Sequence, residues 1–278
     1  MDNRGRMMLR VLINRYNPKA GNTLLKFLPE DEAKEIMNQN IYSSDLLPIL
    51  HSRQSISTIH YSWIQPLLDN FPKSLHHTVI SVLTNQQIAG LTRSPPVPVS
   101  EVVKAFLCDK LYQYLNISDH LPVEYLPATE LTPLSKWTKV KLVNLADFLG
   151  IYDLASEVRS IVNTNYLKNI YSCLSTKQFT FLKQCLNKKD QLASPKLGID
   201  PTVKDCKKLK KVIHKRGLIR LGRALRGQHP DLLWHITHIL DSTRGSIVAN
   251  EYQPQETPKI TKILRLQILT IIGFLENG

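Results

Sequence analysis

The chain has 278 residues, 42% apolar and 21% charged, which is enough to bury a core and has the ordinary balance of a soluble globular protein. Its formal charge is +13, and with only 11 glycines it has little material for glycine-rich phosphate loops or glycine-turned β-meanders. The four cysteines, Cys108, Cys173, Cys185 and Cys206, are widely spaced without a CxxC pair; this argues against a structural zinc site and a disulfide framework and fits a reducing cytoplasm.

The apolar run from Met7 to Ile13 is too short and too broken by arginine for a signal peptide, and only weakly amphipathic. Helical periodicity begins after Pro29, where Glu30, Asp31 and Glu32 face the positive end of a helix rather than forming an acid/base pair. Ile59, Trp63, Leu67 and Phe71 make an i, i+4 stripe, with Pro66 predicting a kink or a later helix start. Trp63, beside Tyr61 and Pro66, is the candidate docking anchor here, against the plainer reading of a core stripe. Pro72 opens the next predicted helix, with Leu75, Val79, Val82 and Leu83 inward. Residues 92–98 read as a linker. Ser100 is the expected cap of a helix carrying Val103, Phe106, Leu107, Leu111 and Leu115. A long loop is expected from Asn116 to Pro133, then a helix capped by Ser135 with Val140, Val143, Leu145 and Leu149. A break from Ala193 to Pro201 follows. The closing apolar run, Ile268 to Leu275, is well short of a membrane span.

Strand-type alternation is nearly absent, so the predicted class is all-α: stacked short helices, armadillo-like or an irregular helical bundle, with no sequence repeat. Three segments are expected: 1–95, 96–192 containing the 116–133 loop, and 193–278.

The basic character is local. Lys204 to Arg226 holds ten of the 36 Lys and Arg residues against one acid, Asp205, a net +9 that leaves +4 for the other 255 residues. Val203, Cys206, Leu209 and Ile213 share one helical face, which turns Lys207, Lys208, Lys210 and Lys211 outward. Gly217 is expected to break this helix, and a short second one to carry Leu218, Leu221 and Leu225 inward and end at Gly227. Pro230 sits in the first turn of the next helix, with Leu232, Leu233, Ile236, Ile239 and Leu240 as its core face. Asp241 or Ser242 caps another, and Thr257-Pro258 opens the last, which carries Ile260, Leu264, Ile268, Ile271, Ile272 and Leu275. His235, His238 and Asp241 share a face and are weighed as metal ligands, but further ligands are not visible and a core-edge role is the plainer reading.

Three readings of the basic run stand side by side: a surface for an acidic protein partner, a solvated face, or a polyanion site for nucleic acid or anionic lipid. No aromatic residue lies between Lys204 and Arg226 to stack on bases, which places nucleic acid second. There is no GxSxG elbow, P-loop, HExxH or dinucleotide fingerprint. The chain therefore reads as non-enzymatic, with no cofactor, metal or small-molecule substrate.

The stretch from Leu209 to Gly227, then Leu240 to Tyr252, then Thr257-Pro258-Lys259 and a closing amphipathic helix resembles the C-terminal domain of the flagellar motor-switch rotor protein FliG. The likeness covers about residues 202–278. It implies that Arg226, Arg244, Glu251 and Lys259 take the positions of the charges on which the stator acts, with departures at Tyr252 and Gly245. Residues 22–33 resemble the family's leucine-rich turn, whereas Ile59 to Trp63 departs from its Glu-His-Pro-Gln motif. Altered in this way, the chain also resembles the accessory protein of type III secretion injectisomes (the SctK or YscK kind). The resemblance implies a bacterial scaffold or adaptor, cytoplasmic and peripheral to the inner membrane. Its expected partners are a membrane ring protein, docked by the N-terminal helices, and cytoplasmic ring or sorting-platform proteins, met by the C-terminal ones.

Overall fold

The structure, a computed structural model, describes residues 25–26, 28–38, 55–187, 192, 198 and 205–276. The expectations placed on Met7 to Ile13, on Val203 and Lys204, and on most of the 193–201 break lie outside the described residues. Among the described residues the fold is all-α, without a strand. The helices are α1 (Glu30–Asn38), α2 (Tyr61–Ile64), α3 (His76–Ser81), α4 (Asn85–Leu91), α5 (Glu101–Tyr114), α6 (Lys139–Val158), α7 (Thr164–Cys173), α8 (Thr176–Asn187), α9 (Cys206–Ala224), α10 (Pro230–Ile239), α11 (Ser242–Glu251) and α12 (Pro258–Glu276). None of these helices is long and apolar enough to cross a membrane.

The main core forms around α6. Leu142, Leu145, Leu149, Ile151 and Leu154 are fully buried and lie on several sides of this helix, so α6 is wrapped by α8, α9 and α12. The helix starts at Thr138, whose side chain accepts from the Lys141 amide; Ser135, the expected cap, lies in a preceding 3-10 turn and hydrogen-bonds Thr132 O. With the start set there, Val140 is 76% exposed, contrary to its expected place in the core. The 116–133 stretch is free of α-helix, as expected of a loop, and carries short 3-10 turns at Ile117–Asp119 and Val123–Tyr125, with a third, Thr132–Lys136, at its end.

Gly217 does not break a helix. α9 runs unbroken from Cys206 to Ala224, and Gly217 lies where it crosses α6. A Cβ built on Gly217 falls 1.6 Å from Ala146 O, and one on Gly150 falls 2.0 Å from Ile213 O. The two backbones touch, and the missing side chains are what permit it. Gly227, with φ +71°, does end the following turn in the left-handed conformation expected of a terminating glycine.

The second core joins α2–α5: Ile56, Ile59, Ile64, Leu68, Val79, Leu107 and Leu111 are buried together. Pro66 converts the α2 chain path to a 3-10 turn over Gln65–Asn70, which turns Ile64 and Leu68 inward and leaves Trp63, Leu67 and Phe71 half-buried. Leu75 in the next 3-10 turn is also exposed. Residues 92–98 are non-helical as expected, and Ser100 caps α5. On α5, Leu107 and Leu111 are buried, whereas Val103 and Phe106 face outward at 42% and 57% exposure.

The cysteine expectation is overturned: Cys173 and Cys206 form a disulfide, while Cys108 and Cys185 are buried and take no part in one. The pair is 33 residues apart in sequence and has no local signature. It forms because α7 ends where α9 begins.

Candidate functional site

The basic run divides into two halves with different physics. In its C-terminal half the cations have internal partners. Arg220 is 5% exposed; it donates through Nε to Asp153 Oδ1 at 2.8 Å and through Nη1 to Gln267 Oε1 at 2.7 Å, and its guanidinium lies 5.6 Å from the Tyr152 ring centre. This fork joins α9 to α6 and α12. Arg223 Nε meets Glu251 Oε2 at 2.8 Å, and Arg226 reaches the same carboxylate at 3.9 Å and the Glu251 carbonyl at 2.9 Å.

In the N-terminal half, Leu209 and Ile213 are each 3% exposed against the core, so Lys207, Lys208, Lys210, Lys211 and Lys215 project from the opposite side. Among the described residues no acid lies within ion-pair distance of any of the five. Asp205 is used as the N-cap, accepting from the Lys208 amide at 2.9 Å. Two terms oppose this arrangement: cations crowd the positive end of a 19-residue helix, and neighbours at i, i+3 and i, i+4 repel by about a few tenths of a kcal/mol each. The burial of Leu209 and Ile213 and the Cys173–Cys206 bond hold it in place.

The other residues singled out from the sequence fall elsewhere. Arg244 pairs with Asp241, the N-cap of α11, and donates through Nε to His214 Nε2 at 2.8 Å. Glu251 takes Arg223 and Arg226 at the far end of α11. Lys259 is exposed at the start of α12. Trp63 is half-buried inside the chain, its Nε1 donating to Leu240 O at 2.9 Å. The structure thus brings Arg226 and Glu251 together, and places Arg244 at the opposite end of α11 from Glu251.

A seam of histidines and tryptophans joins the two cores; Trp63, His235 and His238 were singled out from the sequence for other roles, Trp234 and His120 were not. Trp63, His238, Trp234 and His120 form a continuous stack with ring centres 4.4, 4.1 and 4.6 Å apart. His238 Nδ1 donates to Trp234 O, His235 Nε2 to Leu121 O and His120 Nδ1 to Asp231, each at 2.8 Å, so these rings have separate partners rather than one shared centre. Among the described residues no group of three His, Cys, Asp or Glu is disposed to hold a metal. Burial pushes His238 down to about 4 and also lowers His235. Burial works to raise the Asp231 and Asp241 carboxyls, but the hydrogen bonds from His120 and Leu121 to the first, and from Arg244 to the second, hold both below the ordinary range.

A polar chain runs along the same seam. Lys139 Nζ lies 2.8 Å from His60 Nε2, while His60 Nδ1 caps α2, accepting from the Ser62 amide at 3.2 Å and lying 2.9 Å from Ser62 Oγ. Burial first, then the Lys139 ammonium, lowers the pKa of His60. Lys139 also meets Asp241 at 3.4 Å; Arg244 links Asp241 to His214, and His214 donates to Asp147 at 2.7 Å. The only sequence signal for the seam is the i, i+4 spacing of Trp234 and His238, which puts both rings on one helical face. The partners across it are distant in sequence. A scan against protein-family models, a search of the curated proteins and a search of the solved structures each found no match to this chain.

Proposed function

We propose that the protein is a non-enzymatic adaptor of a type III secretion-type machine, and that it docks an acidic surface of a ring or sorting-platform protein on the lysine face of α9. The observation that supports this is the set of five lysines, fixed on a helix bolted to the core, with Lys207 and Lys208 at the positive end of its dipole where cations cost stability, and with no acid among the described residues within ion-pair distance to relieve them. A carboxylate-rich partner removes that repulsion, adding on-rate and register to whatever apolar contact supplies affinity. The charges implied by the resemblance to the motor-switch domain have a different character: Arg226, Arg244 and Glu251 are engaged within the chain. The reading is therefore scaffold and not torque generation. In this reading the N-terminal helices meet a membrane ring protein, and the protein is cytoplasmic and peripheral to that membrane complex.

The test is affinity capture from a host carrying the secretion machinery, using the wild-type chain and a variant with Lys207→Glu, Lys208→Glu, Lys210→Glu and Lys211→Glu. The wild type is expected to retain an identified ring or platform subunit, and the variant to lose it at least tenfold. Recovery of no such subunit, or equal recovery by both chains, refutes the reading. Sub-micromolar binding of single- or double-stranded DNA with a steep logarithmic salt dependence would assign the face to nucleic acid instead.

A further inference from the structure

Cys206 is the first residue of α9 and Cys173 the last of α7, so their bond ties the foot of the lysine-bearing helix to its neighbour. The two sulfur positions are unequal. Cys173 is 6% exposed, whereas Cys206 is half-buried, preceded by the capping Asp205 and followed by the exposed Lys207 and Lys208. Cys206 also sits at the positive end of a 19-residue helix. That setting attracts an anionic thiol such as glutathione toward Cys206 Sγ. The remaining cysteines, Cys108 and Cys185, are 2% and 6% exposed and do not compete for a reagent in solution.

We propose that Cys173 and Cys206 form a reversible thiol–disulfide exchange site, with glutathione-class thiols as co-reactant, and that its oxidised form clamps the first turns of α9 onto α7. A glutathione thiolate attacks Cys206 Sγ, the Cys206–Cys173 bond breaks, and Cys173 leaves as a thiolate that takes up a proton. A second glutathione thiolate attacks the glutathione sulfur of the mixed disulfide. Cys206 is released, takes a proton, and glutathione disulfide departs. Two electrons pass from two glutathiones to the protein disulfide; the reverse sequence closes the clamp.

In the reduced protein the next apolar hold on α9 is Leu209, and repulsion among Lys207, Lys208, Lys210 and Lys211 acts on turns that are no longer tethered. The first intrahelical amide, Leu209 N–H to Asp205 O at 3.0 Å, is the natural reporter. This inference stands whether or not the lysine face docks a partner.

The experiment combines thiol counting in denaturant with amide hydrogen exchange on the full chain. After equilibration with oxidised glutathione two thiols are expected, and four after reduction. Peptides covering 206–212 should exchange roughly tenfold faster in the reduced protein, while those covering 264–271 in α12 stay unchanged. Cys206→Ser should exchange like the reduced wild type and ignore the redox buffer. Should that variant fail to fold, the reduced wild type provides the same comparison. Four thiols persisting under oxidising conditions would overturn the proposal, as would equal exchange of 206–212 in the two states.

Discussion

Replacing Gly217 by alanine pits helix propensity against the α6–α9 crossing. Alanine inside a helix is favoured over glycine by about 1 kcal/mol, so a sequence-only estimate makes Gly217→Ala stabilising. The structure reverses the sign. The new Cβ would stand 1.6 Å from Ala146 O and 3.0 Å from Gly150 N, both backbone atoms that no rotamer change can move aside. Ordinary contact begins near 3.4 Å, so the helices must part by about 2 Å at their closest point. That separation opens space beside Leu142, Leu145, Leu149, Leu218 and Leu221, all packed in the main core. Overpacking typically costs about 1–3 kcal/mol, and a backbone-to-backbone clash belongs at or slightly above the top of that range. Subtracting the propensity gain leaves a net loss of about 2–3 kcal/mol, or roughly 5–10 °C in Tm for a protein of this size. Urea and thermal unfolding followed by circular dichroism would measure it. Gly273→Ala in α12 is the internal control: nothing lies within 4 Å of its added Cβ, so the propensity gain of about 0.5–1 kcal/mol should appear undiminished. A Gly217→Ala protein as stable as the wild type, or more so, would refute the close crossing.

The buried Arg220–Asp153 fork should be costly to halve and cheap to remove. Asp153→Asn leaves the guanidinium without its counter-charge and should cost about 3–5 kcal/mol in urea unfolding, whereas Arg220→Met combined with Asp153→Leu should recover most of that loss. The histidine seam makes stability depend on pH. His238 is pushed from 6.5 to about 4 by burial, so the unfolded chain binds its proton more readily. Stability should therefore fall as pH drops from about 6.5 to 4, by up to about 3 kcal/mol from this ring, with His235 and His60 acting in the same direction. The depressed carboxyls of Asp231 and Asp241 add their loss only at lower pH, as their folded values are passed. Urea midpoints between pH 4.5 and 7.5 check this; His238→Phe should flatten the profile, and an unchanged slope would rule out the ring as its source.

The helical class and several helix ends were legible in the sequence, because these depend on interactions within a few residues of each other. Ser100, Asp241 and Gly227 act as their types predict, and Pro230 lies in the first turn of α10. Inward faces were equally legible where apolar spacing was strong, as at Leu209 and Ile213 or Leu264, Ile268 and Ile271. Local signals misled where they were degenerate. Ser135 and Thr138 are both competent caps, and only the packing of α6 selects the second. Gly217 has the same composition signal whether it ends a helix or lets two helices touch; the presence of Gly150 and Ala146 on α6 decides.

The basic run is the clearest case. Its ten cations look alike in sequence, yet α6, α11 and α12 supply Asp153, Glu251 and Gln267 to Arg220, Arg223 and Arg226 and leave Lys207, Lys208, Lys210, Lys211 and Lys215 outside. The disulfide was likewise invisible, and of the Trp63–His238–Trp234–His120 stack only the Trp234–His238 spacing was legible, since the other members come from segments far apart in the chain. Propensity and periodicity act over a few residues, whereas ion pairing, disulfide formation and ring stacking need particular atoms within a few ångströms. Only the packed tertiary structure provides that proximity.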